Sequence, residues 1–259
     1  MLFNLFTVFL ILLNIVCVYT FFIEPHAIET TRLSYPLAPV HDQYTGLKII
    51  HLSDLHLSSF GWYERHIIEK VNAEDADFIF ITGDHIQYNQ DFIHAVRFFN
   101  QLRCRQSVCA VFGNSDYSNM QSFFAALKEE KLNSSVRILR NETARVDYSG
   151  APLLIAGIDD PITGCGKPEM MPEFRDIPEF TIVLVHAYTQ DIRSATAGAD
   201  LVLSGHTHGG QFNIMPKRVI RTWRNLSDKN LHTYFEGFHQ DGTRWVNVSR
   251  GLGMSFLPI

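Results

Sequence analysis

From Leu47 onward, short apolar runs alternate with amphipathic stretches, and the spacing assigns an element to each. LKIIHLS (47–53) predicts a buried strand, and WYERHIIEKVNA (62–73) a helix with Ile67, Ile68 and Val71 on its inner face. DFIFIT (77–82) predicts a strand, FIHAVRFFNQL (92–102) a helix, VCAVFG (108–113) a strand and MQSFFAALKEEKL (120–132) a helix. Strand–helix alternation of this kind favours a parallel sheet with helices on its faces. The second half is richer in strands: VRIL, ARVDY, PLLIAGI, FTIVLVH, DLVLSGH and, late in the chain, RWVNVSRG (244–251), divided by Gly, Pro and Asp. The pattern as a whole predicts an α/β architecture of two packed sheets with helices outside.

The first residues follow a different rule. LFNLFTVFLILLNIVCVYTFFI (2–23) carries no charge and is long enough to span a hydrocarbon core. It lacks the basic n-region and the small-x-small site of a cleaved signal peptide, and Val16 before Cys17 does not suit a lipoprotein site. A buried core helix would show an amphipathic stripe, which is missing. Residues 1–23 are therefore expected to form a single uncleaved transmembrane anchor, making this a single-pass membrane protein. Arg32 alone follows the span, so the positive-inside rule does not choose a side. Residues 24–45, with Pro25, Pro36 and Pro39, read as an extended tether carrying one edge strand around Thr31–Tyr35. Residues 46–259 form the main domain.

Composition narrows the chemistry. The chain has 259 residues, 46% hydrophobic and 19% charged, with a net charge of −5 and no run of Lys or Arg, so a nucleic acid is not expected as partner. Cys17, Cys104, Cys109 and Cys165 form no C-x-x-C pair, which removes a zinc knuckle or thioredoxin-type motif. Histidine is the excess residue, at 12 copies, and favours metal chemistry.

The polar residues at the carboxyl ends of the apolar runs carry that signal further. The first strand ends in SDLH, with Asp54 and His56; the next in TGD, with Asp84. GNSD supplies Asn114 and Asp116, VLVHA supplies His186, and SGHTH supplies His206 and His208. Singly, each has an ordinary explanation as a turn residue or a satisfied core histidine. Together they collect where open α/β sheets bind ligands. Carboxylates, imidazoles and one amide oxygen suit manganese, iron or zinc better than calcium. Seven such groups exceed the needs of one ion, and a carboxylate shared by two ions resolves the excess.

The set SDLH, GD, GNSD, VLVH and GHTHGGQ resembles the calcineurin-like metallophosphoesterase superfamily. Its membrane-associated bacterial branch is similar over nearly the whole chain from Glu24, in FIEPHAIETTRLSYPL, LKIIHLSDLHLS, AGIDDP, ADLVLSGHTHGGQ and YFEGFHQDGTRWVNVSRGLGMSFLPI. The resemblance implies a four-layer fold, two packed mixed sheets flanked by helices, behind the N-terminal membrane helix. It implies two divalent cations, manganese foremost. Asp54, His56 and His208 would hold the first, Asn114, His186 and His206 the second, with Asp84 between them. A hydroxide bridging the pair would attack a phosphodiester or pyrophosphate in line. Asn114, Asp116 and His206 are the residues expected nearest the chemistry, Asp116 by orienting a neighbouring imidazole.

One position departs from the family. GNHD or GNHE is usual, and its histidine protonates the leaving oxygen; here Ser115 stands in that place and cannot deliver a proton near neutral pH. Either activity is lost, leaving a metal-binding scaffold, or the leaving group needs no acid. A phosphate leaving from a pyrophosphate meets the second condition. Related enzymes that cleave UDP-2,3-diacylglucosamine in lipid A synthesis include forms without that histidine. The expected substrate is therefore a phosphorylated, lipid-linked nucleotide met at a bacterial inner membrane, with a general phosphodiesterase as the alternative. His85, beside Asp84, either replaces the lost acid or faces elsewhere. Arg250 either anchors a phosphate or forms a salt bridge, and Phe60, Trp62 and Tyr63 either line an acyl groove or cap a helix. The branch usually continues past FLPI, where this chain stops.

Overall fold

The uncharged N-terminal run is helical, but not as one uniform helix. In the computed structural model, which describes residues 2–36, 39–210 and 234–253, α1 covers Leu2–Val18. It passes into π geometry over Tyr19–Ile23 and a 3₁₀ turn over Glu24–His26. The aromatic and β-branched residues of YTFFI are weaker helix formers than the leucine-rich run before them. The 17 residues of α1 rise about 25 Å against a hydrocarbon core of about 30 Å. Among the described residues no helix is long and apolar enough to cross a membrane.

The segment after it is docked along the body of the protein. Thr31–Tyr35 forms no strand; with Pro36 next in line, its backbone joins no ladder and its side chains make the contacts instead. Arg32 pairs with Glu74 at 2.6 Å, the Tyr35 hydroxyl donates to the Asp200 carbonyl at 3.2 Å, and His41 Nε2 lies 3.1 Å from Asp200 Oδ1. Tyr44 is 1% exposed, stacked at a tilt against Phe180 with its hydroxyl on the Pro152 carbonyl.

Two sheets then follow from the two halves of the pattern. β1 (Ile49–Leu52), β2 (Phe78–Thr82), β3 (Ser107–Val111) and β4 (Val136–Ile138) lie in sequence order and are parallel throughout. The connections contain α2 (Trp62–Ala73), α3 (Ile93–Gln101) and α4 (Met120–Glu129), as parallel neighbours require a crossover. This sheet is therefore not mixed, in contrast to expectation. The second sheet is: β5 (Glu142–Tyr148), β6 (Ala151–Gly157), β7 (Phe180–Leu184), β8 (Leu201–Ser204), β9 (Gly237–Asp241) and β10 (Arg244–Val248) take the order β5-β6-β7-β8-β10-β9. The outer pairs β5–β6 and β9–β10 are antiparallel hairpins and the rest are parallel. A short α5 (Gln190–Ala195) precedes β8.

Alternation within the strands builds the layers. Phe78 and Phe80 of β2 point between the sheets, against Ile155, Ile182 and Leu203, whereas Ile79 and Ile81 face α2 and α3 through Ile67, Val96 and Phe99. On the far face of the second sheet, Leu154, Val183 and Val202 pack under Phe174 and Ile192. All five residues of β2 are buried, which is why its sequence reads as an unbroken apolar run. Gln211 of GHTHGGQ and the terminal FLPI lie outside the described residues.

Asp241 locks α5 to the edge hairpin. It accepts from Arg193 Nε and Nη2 at 2.9 and 2.7 Å, from the Tyr188 hydroxyl at 2.7 Å and from Arg244 at 3.1 Å. The Arg193 hydrogen bonds, with those of Tyr188 and Arg244, hold its carboxyl well below the usual carboxylate range despite burial. A depressed folded-state value contributes stability that is full above the unfolded pKa and drains as pH falls through it. Denaturant midpoints measured from neutral pH down to about pH 3 should fall less steeply in Asp241→Asn than in the native chain. Tyr44→Ala, which empties a site between tether and core, should cost about 3 kcal/mol in urea unfolding.

Candidate metal centre

Five strands deliver their first following residues to one end of the sheets. β1 runs into Ser53–His56, β2 into Asp84, β3 into Asn114, β7 into His186 and β8 into His206–His208. Parallel pairing places these ends side by side. The chain turns sharply there: Asp54, His56, Asp84, His206 and His208 all adopt positive φ, between 45° and 70°. Left-handed backbone at non-glycine residues costs of order 1–3 kcal/mol each and persists where the surroundings impose it. Two glycines permit the crowding. A Cβ on Gly113 would overlap the Asp84 carboxylate and amide, and one on Gly205 would overlap the Ser53 hydroxyl.

The seven anticipated ligands form two adjoining groups. Donor atoms of Asp54, His56 and His208 lie within 4.8 Å of one another, as do those of Asp54, Asp84 and His186. His56 Nε2 faces His208 Nε2 at 3.0 Å, and His208 Nε2 is 3.4 Å from Asp54 Oδ1. In the second group His186 Nε2 meets His206 Nδ1 at 3.0 Å and Asn114 Oδ1 at 3.1 Å. Asp84 turns one oxygen to each side: Oδ1 is 3.3 Å from His186 Nε2, and Oδ2 is 3.6 Å from His56 Nε2.

This donor set calls for positive charge. Asp54 and His186 are fully buried, and Asp84 is 4% exposed. Burial pushes the Asp54 carboxyl up to about 6, against the pull of His186. Burial alone would disfavour a charged His186, yet Asp84 and Asp54 raise it to about 9. Burial likewise opposes ionisation of Asp84, but His186, His56 and the Ser115 amide keep it below its ordinary value. Two clustered carboxylates with imidazole nitrogens 3.0 Å apart fit divalent cations seated between them. The orienting contacts agree: His186 Nδ1 is 2.9 Å from the Thr82 carbonyl, which turns Nε2 inward, and the His206 amide donates to both Asp54 oxygens at 3.1 and 3.0 Å.

The neighbours of the ligands have roles that residue type did not reveal. Ser115 donates its hydroxyl to Asp84 Oδ2 at 2.9 Å and its amide to Asp84 Oδ1 at 2.8 Å. The residue standing in the expected acid's place braces a ligand carboxylate instead. Asp116, anticipated near the chemistry, is fully buried behind the site. It accepts from the Gly113, His85 and Ile86 amides at 2.8, 2.8 and 3.2 Å, so it ties the β2 and β3 loops together. His85 also points away from the opening. It is fully buried against Phe99 and Phe112, with Nε2 3.8 Å from Asp116 Oδ2, and burial pushes it down to about 3. Arg250 pairs with Glu29 at 2.6 Å, while Phe60 and Tyr63 pack on the core and Trp62 remains 68% exposed. Beyond the anticipated set, Arg140 sits half-exposed beside the β3 loop, held by Asp159 at 3.0 Å and the Tyr117 hydroxyl at 3.1 Å. No motif marks it.

Comparison with known proteins agrees with the site. The profile of the calcineurin-like phosphoesterase family matches residues 47–210. The uncharacterized metallophosphoesterase YkuE of Bacillus subtilis is 28% identical over 93% of this chain and 84% of its own. The phosphodiesterase YaeI of Escherichia coli is 26% identical over 91% and 85%. A bovine transmembrane protein with metallophosphoesterase domain is 30% identical over 91% of this chain but 54% of its own. Among solved structures, the Haemophilus influenzae NAD nucleotidase aligns over 80% of this chain and 51% of its own, with TM-score 0.53 and 12% identity, a likeness of fold. From Leu47 to Gly210, with its carboxylates, imidazoles and amide at the strand ends, this chain belongs to the calcineurin-like phosphoesterase family and is a metal-dependent hydrolase of phosphoesters.

Proposed function

We propose that this chain hydrolyses a phosphodiester or pyrophosphate whose departing group needs no proton, the specific candidate being the lipid-linked nucleotide UDP-2,3-diacylglucosamine. Asp54, His56 and His208 would hold one divalent cation and Asn114, His186 and His206 a second, with Asp84 reaching toward both; manganese is the first choice, iron or zinc the others. Such a pair supplies Lewis-acid stabilisation of phosphoryl oxygens and lowers the pKa of water between them. The protein's own residues hold that geometry: Thr82 aims His186, the His206 amide holds Asp54, and Ser115 clamps Asp84 through two hydrogen bonds.

The observation that carries the choice of substrate is the engagement of Ser115 with Asp84. A serine hydroxyl is no acid near neutral pH, and His85, the histidine next to Asp84 in the chain, is sealed in the core. An alkoxide would therefore leave unprotonated, which is slow, whereas a phosphate leaves readily. The similarity to the Escherichia coli phosphodiesterase YaeI favours the diester reading. We further propose that residues 1–23 anchor the chain in a bacterial inner membrane, which suits a lipid-linked substrate. From Val8 at 53% to Val18 at 50% α1 is exposed, and apolar surface of that extent calls for an apolar surrounding.

The manganese-loaded protein should cleave UDP-2,3-diacylglucosamine faster than bis-p-nitrophenyl phosphate. Cleavage of the diester alone would leave a general phosphodiesterase, and cleavage of neither would leave a metal-binding scaffold. Ser115→Ala should weaken manganese binding by about 10-fold in calorimetric titration, because Asp84 keeps the amide bond to its Oδ1 but loses the hydroxyl that holds its Oδ2.

A further inference from the structure

Three residues beyond the apolar helix, the chain touches the rim of the metal centre. His26 packs edge-on against Tyr63 at 5.1 Å and against Trp62 at 6.1 Å between ring centroids. The Tyr63 hydroxyl donates to the Leu252 carbonyl at 3.0 Å, and Glu29 pairs with Arg250 at 2.6 Å. Arg250–Gly253 in turn lie directly on the first group of ligands. The Leu252 and Gly253 amides donate to the Ser53 and Asp54 carbonyls at 3.1 and 2.7 Å. A Cβ on Gly251 would lie 2.8 Å from the Asp54 Cβ and 3.3 Å from His208 Nδ1.

Chain length turns these contacts into a bound. Glu29 lies six positions after Ile23, a span of at most about 22 Å, and His26 three positions after it, at most about 11 Å. The helix end therefore lies close to both Trp62 and the Arg250–Gly253 segment. Residues 8–18 of α1 and Tyr19 after it are exposed, so the helix leaves the body of the protein instead of folding back over it. Around its base the surface carries the indole of Trp62, 68% exposed and stacked on His66 at 5.7 Å, and the Arg65 guanidinium 5.8 Å from the Phe60 ring centroid. Exposed tryptophan beside a cation, next to the end of a long apolar segment, is the chemistry of the layer where lipid headgroups meet acyl chains.

We propose that the His26–Tyr63 and Glu29–Arg250 contacts strap the metal centre against the bilayer surface, with Trp62 seated among the headgroups and the site opening within reach of lipid phosphates. This rests on the reading of residues 1–23 as the anchor and goes beyond it by assigning the face that meets the membrane. The occupant is a phospholipid surface, because the strap is continuous with the apolar helix and the patch joins indole to guanidinium.

The test uses the full chain reconstituted into vesicles of phosphatidylcholine and phosphatidylglycerol, with phosphatidylcholine brominated near the headgroup as quencher. Native protein and Trp62→Phe are compared, so that the difference isolates Trp62 from the other two tryptophans. The expected result is co-flotation of both proteins with the vesicles, quenching of the native chain, and loss of most of that quenching in the variant. Co-flotation with equal quenching in both would overturn the strap while leaving the anchor. Failure to co-float would overturn the anchor and the strap together. Trp62 emission already shifted in detergent, together with a concentration-dependent mass, would place a second copy on this face and overturn the lipid assignment.

Discussion

Two carboxylates, Asp54 and Asp84, are buried within reach of four imidazoles, and the rest of the molecule is arranged around that juxtaposition. Left to themselves, buried carboxylates repel one another and lose hydration, and the protein answers only in part. Ser53 and the His206 amide hold Asp54; Ser115 holds Asp84; His186 is drawn toward its charged form. What remains is a demand for cations that the side chains do not meet. The left-handed backbone at five of the ligands belongs to the same balance, since its strain is sustained by a fold that brings five strand ends together.

That fold is well suited to hold strain. β2, β3, β7 and β8 are buried on both faces, and only one to three residues lie between each strand and its candidate ligands, so there is little slack for the donors to relax apart. Asp116 reinforces this from behind, bonding the β2 and β3 loops through three amides. The two sheets are also joined just below the site: His51 of β1 reaches Thr82 of β2 through one ring nitrogen and Asn247 of β10 through the other, each at 2.8 Å. The carboxylates are clamped by Ser53, Ser115 and the His206 amide, whereas the imidazole nitrogens of His56 and His208, and of His186 and His206, meet each other at 3.0 Å, an arrangement that suits ions seated between them.

Much of this was legible in the chain, for identifiable reasons. β2 and β3 could be read because burial on both faces leaves continuous apolar runs, and α2 because it keeps a clear inner face at Ile67, Ile68 and Val71. The seven candidate ligands could be read because each follows an apolar run. The stretch Thr31–Tyr35 was misread as a strand because alternation there serves side-chain docking, with Arg32 and Tyr35 anchoring it to different elements. α5 and β9 carry too little periodicity in 6 and 5 residues to stand out. The roles of Ser115 and Asp116 were the least accessible. These adjacent residues face opposite sides of one loop, and only the path of the backbone after Gly113 decides which meets Asp84 and which meets the amides.

The same loop geometry links the lost acid to the way the chain begins. Under the proposed reading, with Ser115 spent on bracing Asp84 and no histidine in its place, the chemistry rests more on the leaving group and on how the substrate is presented. The contacts of Glu29, Arg32, Tyr35, His41 and Tyr44 bear on that presentation. These residues pass the carboxyl end of the strands at Glu29 and Arg250, run along α2 past Glu74, and close on the amino end at Asp200 and Tyr44. A tether merely linking helix to domain would need none of these contacts. A segment fastened at both ends of the sheets instead fixes how the start of the chain sits against the candidate site, and under the proposed reading, in which no general acid assists departure, orientation of the substrate carries more of the task.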